Sequence, residues 1–371
     1  MSKINVVEII GDMSISGAPN HLLTLVRGIK KDKDFNFMVI CPNGPLVDDL
    51  EKIDDIDVEI VPFRGNFDFQ TVKKIRSLLK KKRLECLKKN EKLLVHVHGT
   101  RAGWLGRLAT IRLWLPVIYT EHLWTFDYHL KNRLLEYPQL FGLWFMDFFT
   151  NQNIAVSGAV ADFLSAKISR PEKVSLIYNG IEIPKIKVQK DHKEIIIGSV
   201  GGLNFQKNYE LLLRGVKILK NNEIKNWRVE IIGDGQEEEK LKKLIKYYKL
   251  QKYVKIEPGE KDLTRELKKY SIYTQTSRSE SFGQVLAQAM SIEIVPIVTA
   301  AGAMPEIVGR AGLVVEKNNP KALAKAFEIL IKDKEKRHKL GREASHRIKK
   351  YFQVEKMIFA TKKLYTQITQ N

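Results

Sequence analysis

The sequence is poor in cysteine and contains no long apolar run, and each shortage excludes a class of protein. Cys41 and Cys86 are the only cysteines among 371 residues, too few for a disulfide framework or a cysteine-based metal cluster. The most apolar stretch, residues 140–149, contains Asp147 and is shorter than the roughly 18 residues that a spanning helix needs. Residues 1–10 lack the pattern of a signal peptide. We therefore expect a protein of a reducing, cytoplasmic compartment.

Acidic residues are too few to balance the basic ones. The chain has 63 lysines and arginines against 43 aspartates and glutamates, a net charge of +20. Such an excess fits a nucleic-acid partner, an anionic membrane surface, or a lysine-rich composition that implies no partner. No nucleic-acid-binding motif accompanies the charge, so we expect no nucleic-acid partner. The other two alternatives stay open.

Short apolar strands alternate with helical segments along the whole chain. Residues 4–10 have the pattern of a buried strand, and the alternation restarts at 194–201 after a polar, lysine-rich segment. This order is typical of parallel α/β sheets, and the length favours two domains. We predict two doubly wound, Rossmann-like α/β domains that face a cleft. The predicted divisions are a first domain at 1–183, a linker at 184–193, a second domain at 194–348, and a C-terminal helix at 349–371 returning to the first domain.

In such a fold, ligands bind in the loops at the carboxyl ends of the strands. Gly17 precedes a helix start, where it can let backbone amides approach a phosphate, although an ordinary loop can also require a glycine. Lys207 follows Gly202 near another helix start, and it fits either a diphosphate contact or a solvated surface lysine. His122 ends a strand, where it can bind a sugar hydroxyl, move a proton or serve a structural role.

Residues 277–298, SRSESFGQVLAQAMSIEIVPIV, combine a carboxylate with a turn and a helix start. Glu280 can accept hydrogen bonds from hydroxyl groups, while amides near Gly283 can donate to phosphate oxygens. Gln288 follows on the same side of the helix. The pattern therefore predicts a site for a polyol ligand that carries a phosphate.

Taken in order, these segments resemble a retaining glycosyltransferase of family 4 with a GT-B fold. The resemblance covers nearly the whole chain and implies sugar transfer from a nucleotide-diphosphate sugar, with UDP favoured and the anomeric configuration retained. The implied acceptor is a glycan or a lipid-linked acceptor in cell-surface polysaccharide or glycolipid biosynthesis. The matching segments are SGAPNHLLTLVRGI, HGTRAGWLGRLAT, YTEH, IAVS, VSLIYNGIEI, VGGLNFQKN, IIGDGQ, SRSESFGQVLAQAM, MPEIVG and GLVVE.

The resemblance also implies roles for individual residues. Glu280 resembles the first glutamate of the family's E-x7-E motif, which contacts the transferred sugar, and His122 resembles a histidine that approaches that sugar. These two are the predicted catalytic residues. Lys207 resembles the diphosphate-binding lysine and Gly17 the glycine near the phosphates. The other predicted donor-binding residues are Arg278, Ser281, Phe282, Gly283, Gln284, Val285 and Gln288.

Three positions depart from the family pattern. Gln288 replaces the second glutamate of the motif, Gly202 replaces an arginine, and Glu293 replaces a glycine. The amide at 288 loses a charge-assisted pair of hydrogen bonds, which predicts donor binding weaker by about 1–2 kcal/mol. We expect Arg278 to compensate for the missing arginine. The alternative is a catalytically degenerate subunit that supports a partner glycosyltransferase.

The resemblance implies no cofactor, and no metal-binding D-x-D pattern stands out, so we predict metal-independent transfer. The basic segment 69–89 has an apolar stripe that includes Val72, Ile75 and Leu79. It fits either contact with an anionic membrane, at the inner face of the cell membrane, or packing on the sheet. We expect 100–116 to pack in the domain core.

Overall fold

The computed structural model describes residues 2–12, 17–65, 68–130, 132–184, 194–222, 224–259 and 262–370. The chain divides into two compact units. Unit 1 consists of Met1–Gly180 with Val354–Asn371, and unit 2 consists of Ile181–Gln353. Except for its first residue, the predicted linker at 184–193 lies outside the described residues.

The strands form one parallel sheet in each unit, which confirms the predicted fold class. The order is β3-β2-β1-β4-β5-β6-β7 in unit 1 and β10-β9-β8-β11-β12-β13 in unit 2. The strands are β1 (Ile4–Ile10), β2 (Phe35–Cys41), β3 (Ile56–Ile60), β4 (Lys92–His98), β5 (Val117–Glu121), β6 (Gln152–Ala155), β7 (Val174–Leu176), β8 (Ile195–Val200), β9 (Trp227–Ile232), β10 (Val254–Glu257), β11 (Ile272–Gln275), β12 (Val295–Thr299) and β13 (Leu313–Val315).

Helices connect the strands, as crossovers between parallel strands require. They are α1 (Gly17–Ile29), α2 (Pro45–Leu50), α3 (Phe69–Lys89), α4 (Gly99–Thr110), α5 (Glu136–Asp147), α6 (Gly158–Lys167), α7 (Tyr209–Asn221), α8 (Glu238–Tyr247), α9 (Leu263–Leu267), α10 (Gln284–Ser291), α11 (Met304–Val308), α12 (Pro320–Lys332), α13 (Lys334–Tyr351) and α14 (Val354–Gln370). Short 3₁₀ turns occur at Arg133–Leu135 and Pro171–Lys173.

The long basic helix α3 buries its apolar stripe. Val72, Ile75 and Leu79 are all buried, so the stripe packs inside unit 1 and the lysines occupy the opposite, wet face. Asp68 caps the helix by accepting a hydrogen bond from the Thr71 amide at 3.1 Å. Of the two interpretations of this segment, the contacts therefore support packing for its apolar side.

The last helix, α14, belongs to unit 1. It begins at Val354, and not at 349 as predicted, because α13 continues to Tyr351 before the chain turns. It packs against α1 and β4. Gly180 permits the approach, since a Cβ atom there would lie 2.6 Å from the Val354 Cα.

Glu293 lies in the turn between α10 and β12 and has a left-handed backbone, with φ +68°. Glycine adopts this conformation without the steric cost that a side chain brings. The local geometry therefore explains why the family pattern has glycine here. The departure at Glu293 concerns the backbone of the turn.

Among the described residues, no helix has the length and apolar character needed to cross a membrane.

Candidate active site

Glu280 and Lys207 form an ion pair in unit 2, although 73 residues separate them in the chain. The Lys207 ammonium lies 2.8 Å from Glu280 Oε2, and both side chains are largely buried. The same oxygen accepts hydrogen bonds from the Gln275 amide at 2.5 Å and the Ser277 hydroxyl at 3.3 Å. Three donors thus fix one carboxylate oxygen in place.

The loop after β8 delivers Lys207 to this pair. Its Lys207 amide donates to Asn204 Oδ1 at 3.2 Å, and Asn208 then takes a left-handed conformation before α7 starts. Thr276, next to the end of β11, donates its hydroxyl to the Asn208 carbonyl at 3.2 Å. Gly201 leaves space for the Lys207 side chain, because a Cβ atom at position 201 would lie 3.1 Å from Lys207 Cε.

The turn before α10 holds the backbone of Glu280. Its carbonyl accepts a hydrogen bond from the Ala303 amide at 2.8 Å. Gly302 must be glycine, since its φ is +52° and a Cβ would lie 2.1 Å from the Glu280 carbonyl oxygen. Gly283, with φ +86°, precedes the first turn of α10. The aligned peptide dipoles of the helix make this end electropositive.

The other predicted donor-binding residues of unit 2 differ in what they contact. Ser281, Gln284 and Val285 are partly buried around the start of α10. Phe282 is buried and packs edge-to-face on Phe352, with ring centroids 5.7 Å apart. The Phe282 side chain therefore belongs to the core, and only its backbone can serve a ligand.

Gln288 and Arg278 each keep a buried polar atom without a partner. Gln288 Oε1 and Arg278 Nε make no hydrogen bond within the part of the chain that the structure describes. The Arg278 guanidinium lies over the Phe205 ring, 4.5 Å from its centroid. The Arg278 amide donates to the Gln206 carbonyl at 2.7 Å, beside Lys207. An unpartnered acceptor and an unpartnered donor are thus present at two predicted donor-binding positions.

Of the two predicted site residues in unit 1, Gly17 is the first residue of α1 and is exposed. Residues 13–16 before it lie outside the described part of the chain. His122 follows β5 and is partly buried. It is one member of a histidine cluster consisting of His21, His96, His98 and His122, and Glu8 contacts this cluster.

Glu8 anchors this histidine cluster. It is fully buried on β1, and the sheet register places it opposite His96 on β4. Glu8 Oε2 lies 2.6 Å from His98 Nε2, and Oε1 accepts the Tyr365 hydroxyl proton at 2.8 Å. His98 Nδ1 lies 3.3 Å from His122 Nε2. Tyr365 comes from α14, so the last helix completes the network.

The network determines the charges of its members. Burial opposes ionisation of Glu8, but the charges and hydrogen bonds of His96 and His98 outweigh it and hold the pKa of the carboxyl well below its usual range. Burial, with His98 adding to it, lowers the pKa of His21 to about 3. Burial and His96 lower the pKa of His98 to about 4. Burial and His21 also lower the pKa of His122 well below its ordinary value. At neutral pH the Glu8 carboxyl is therefore ionised, and the imidazoles of His21, His98 and His122 are neutral.

Two groups of three side chains in this cluster could hold a metal ion. One is His21, His98 and His122, and the other is Glu8, His96 and His98, each with its ligand atoms within 4.8 Å of one another. Neutral imidazole nitrogens and a carboxylate are good ligands for zinc and similar ions. The hydrogen bonds of Glu8 and His98 use the same atoms, so hydrogen bonding accounts for their positions without an ion.

Sequence reasoning missed Glu8, His98, Tyr365 and Gln275. Glu8 offered a signal, because a carboxylate inside an apolar strand is rarely buried without a partner. His96 and His98 offered another, since alternate residues of a strand point to the same face. Tyr365 offered none, because nothing local in its helix tells which strand it contacts.

Two family models match consecutive parts of the chain. "Glycosyltransferase Family 4" matches residues 15–184, and "Glycosyl transferases group 1" matches residues 181–347. The chain is a family 4 glycosyltransferase. Together the two matches span both units and include every predicted site residue of this transferase, which is therefore an enzyme of the transferase class with the GT-B fold.

Curated relatives agree with the family. The glycosyltransferase is 26% identical to an uncharacterized glycosyltransferase of Haemophilus influenzae, over 82% of this chain and 84% of the relative. It is 25% identical to the UDP-Gal:alpha-D-GlcNAc-diphosphoundecaprenol alpha-1,3-galactosyltransferase of Escherichia coli, over 94% of this chain and 96% of the relative. It is 23% identical to the capsular polysaccharide biosynthesis glycosyltransferase CapM of Staphylococcus aureus, over 90% and 92%.

Solved structures share the fold. HepE of Anabaena, crystallised with UDP and glucose, superposes with a TM-score of 0.83 at 18% identity, over 99% of this glycosyltransferase and all of HepE. A glycosyltransferase of Rickettsia africae superposes with a TM-score of 0.79 at 20% identity, over 100% and 99%.

Proposed function

We propose that this glycosyltransferase moves a sugar from a nucleotide-diphosphate sugar to a glycan or lipid-linked acceptor, with retention at the anomeric carbon, in the biosynthesis of cell-surface polysaccharide or glycolipid. The observation that carries the proposal is the Lys207–Glu280 pair beside the start of α10. A cation, a fixed carboxylate and the amides at a helix start suit a ligand that combines phosphates with sugar hydroxyls.

Each group has a role toward that donor. Lys207 neutralises the diphosphate, and the amides at the start of α10 donate to its oxygens. Glu280, fixed by Gln275 and Ser277, accepts hydrogen bonds from hydroxyls of the transferred sugar. Gln288 Oε1, which has no partner among the described residues, accepts from a ribose hydroxyl. Arg278 supplies the charge that Gly202 lacks.

UDP is the favoured nucleotide. The E. coli relative is named for a UDP-Gal donor and a diphosphoundecaprenol acceptor, and HepE was crystallised with UDP and glucose. Both names support a UDP-linked donor, and the name of the E. coli relative also supports a lipid-linked acceptor.

The proposed mechanism needs no side-chain nucleophile. The leaving diphosphate takes the acceptor's proton on the face where the new bond forms, and the protein positions the groups and stabilises charge. Lys207 stabilises the leaving group, and the proposed role of His122 is to bind a sugar hydroxyl. The anomeric configuration of the product, read by NMR coupling constants, tests retention.

A thermal-shift panel tests the proposed function. UDP, GDP and ADP, each with its common sugar conjugates, are added to the wild type and to Lys207→Ala. Stabilisation by one nucleotide series that the variant loses supports the proposal and identifies the base. Absence of a shift at millimolar nucleotide would favour the degenerate subunit that assists a partner enzyme.

Changing Gln288 to glutamate should tighten donor binding. A carboxylate can form the charge-assisted pair with ribose hydroxyls that the amide cannot, worth about 1–2 kcal/mol, or roughly 5–30-fold in Kd. Isothermal titration with the nucleotide found in the panel measures it. Gln236→Glu, an exposed residue of unit 2, is the charge-matched control. If Gln288→Glu and the wild type bind the nucleotide with equal affinity, residue 288 does not contact the ribose.

We propose that transfer does not depend on a metal, because the lysine and the helix amides supply the charge that the diphosphate needs. Dialysis against EDTA should leave the rate unchanged. Since the histidine cluster can hold an ion, the metal content is measured before and after dialysis. A rate that falls with EDTA and returns with one added metal would contradict the proposal.

We also propose a peripheral membrane contact of unit 1, through α5. Its Tyr137, Phe141 and Trp144, with Phe148 just beyond, follow helical spacing, and between 45% and 73% of each side chain is exposed. The residues 140–149, which are too short to span a membrane, thus form an aromatic surface. α4 contacts both α5 and the basic α3, whose 21 residues include one acidic residue. Exposed aromatic rings on α5 and the basic helix α3, both packed on α4, suit an anionic bilayer.

Vesicle sedimentation tests this contact. The protein should bind vesicles containing phosphatidylglycerol and leave those of phosphatidylcholine alone in solution, with binding reduced by salt. Phe141→Ser with Trp144→Ser should weaken binding at least tenfold. Tyr247→Ser removes a comparably exposed aromatic ring from unit 2 and should change nothing. Equal binding by both variants would exclude α5 as the contact.

A further inference from the structure

A line of hydrogen bonds runs from the buried Glu8 to the predicted catalytic histidine. Glu8 Oε2 lies 2.6 Å from His98 Nε2, and His98 Nδ1 lies 3.3 Å from His122 Nε2. Each neutral imidazole has one N–H donor and one acceptor nitrogen. The position of the proton on one ring therefore determines its position on the next.

The ionised Glu8 carboxylate determines which atom donates in each hydrogen bond of this line. An ionised carboxylate only accepts hydrogen bonds, so His98 must carry its proton on Nε2 to bond Glu8. His98 Nδ1 is then an acceptor, and it takes the proton of His122 Nε2. His122 is left with no proton on Nδ1, which becomes its acceptor nitrogen.

The rest of the network fits the same assignment. Tyr365 donates to Glu8 Oε1 at 2.8 Å, so its oxygen is available to accept from His96 Nδ1 at 2.6 Å. His96 Nε2 is then an acceptor and takes the Thr120 hydroxyl proton at 2.7 Å. Each of these buried bonds has one donor and one acceptor when Glu8 is ionised. A protonated Glu8 would instead donate to Tyr365 or to His98 and reverse the direction of the hydrogen bonds on that side.

We propose that Glu8, acting through His98, fixes the tautomer of His122, with the proton on Nε2 and an acceptor at Nδ1. Glu8 and His98 are thus positioning residues. The proposal deepens the proposed function in one respect: a neutral histidine with an acceptor nitrogen recognises a sugar hydroxyl, which donates, and not a phosphate, which only accepts.

Glu8→Gln tests the line, because its amide can place either a donor or an acceptor beside His98. Where the amide nitrogen takes the place of Oε2, it donates to His98 Nε2, and the protons of His98 and His122 both move to Nδ1. Where the amide oxygen takes that place, both protons stay on Nε2. In either orientation the two rings should carry their protons on the same nitrogen.

Long-range ¹H–¹⁵N correlation spectra of the full chain labelled with ¹⁵N-histidine distinguish the two tautomers directly. The signals of His98 and His122 are assigned by their loss in His98→Gln and His122→Gln. We expect Nε2–H for both in the wild type, and in Glu8→Gln the same nitrogen protonated on both rings, either Nδ1 or Nε2. Thr120→Val removes the partner of His96 and should leave both unchanged. A His122 proton on Nδ1 in the wild type, or different nitrogens protonated on His98 and His122 in Glu8→Gln, would overturn the proposal.

The wild-type spectrum alone decides the matter if Glu8→Gln does not fold. Activity gives the second readout. If its spectra show Nδ1–H at His122, Glu8→Gln should lower kcat/KM about 10²-fold, as expected for a wrongly placed proton at a catalytic group, and Thr120→Val should not. The spectra need no substrate, so a confirmed tautomer with no transfer by the wild type would contradict the proposed function and leave the positioning role of Glu8 intact.

Discussion

Lys207→Ala should slow sugar transfer about 10²–10³-fold, the usual loss when one fixed donor to a developing negative charge is removed. Two effects act together. The leaving diphosphate loses its cation, and Glu280 loses the partner 2.8 Å from its Oε2. An uncompensated carboxylate beside the diphosphate then repels the donor. Initial rates at saturating and limiting donor separate the effect on kcat from that on KM.

A double-mutant cycle shows whether the pair acts as a unit. Glu280→Gln keeps the hydrogen-bonding shape but removes the charge, and the double variant should lose less activity than the product of the two single losses. Lys332→Ala is the matched control, because Lys332 also pairs with a glutamate, Glu328, but on the exposed surface of α12. Full activity of Lys207→Ala would refute the assignment of the donor site.

Acidification should unfold unit 1 before unit 2. His98, with a pKa of about 4, and His21, with a pKa of about 3, stay neutral in the folded protein, while the unfolded chain takes up these protons below about pH 6.5. The unfolded state therefore binds more protons, and the free energy of unfolding decreases as the pH falls from 6.5 toward 4. His98 alone should contribute a loss on the order of 3 kcal/mol. Below about pH 4.5 the lowered pKa of Glu8 adds to the loss in the same direction.

Urea unfolding at pH 7 and pH 4.5 measures this difference. Tryptophan fluorescence mainly reports unit 1, since Trp104, Trp114, Trp124 and Trp144 lie there and Trp227 lies in unit 2. The unit 2 transition, followed at Trp227 after the others are replaced by phenylalanine, is the internal control. His21→Asn should reduce the pH dependence of unit 1. If the free energy of unfolding falls equally in both units, the histidine cluster is not the cause of the pH dependence.

The fold was largely predictable from local pattern. Each strand of the sheets is a short apolar run between helical segments. This alternation begins with the strand at 4–10 and restarts at 194, and it was enough to predict two parallel sheets. The ends of elements were less predictable, because they depend on contacts. The last helix starts at Val354, where Gly180 allows the chain to pack closely, and no local signal shows that approach.

The candidate site was likewise predictable only in part. Motif order pointed to Lys207 and Glu280, which the structure brings together. It could not show that the Phe282 ring is core, nor that Gln275 fixes Glu280, because both facts depend on which surfaces face each other after folding. The line from Glu8 to His122 depends on strand order, since β1 and β4 are neighbours although about 90 residues separate Glu8 and His98.

The position of Tyr365 has a consequence for the order in which the chain folds during synthesis. Unit 2 is continuous in sequence, whereas unit 1 needs α14, which the ribosome makes after all of unit 2. Until α14 emerges, Glu8 and His96 lack the Tyr365 hydroxyl that both contact, and the surfaces of α1 and β4 that α14 covers are open. The amino-terminal half of this enzyme is therefore translated first but completes its fold last, after the whole of unit 2 has been synthesised.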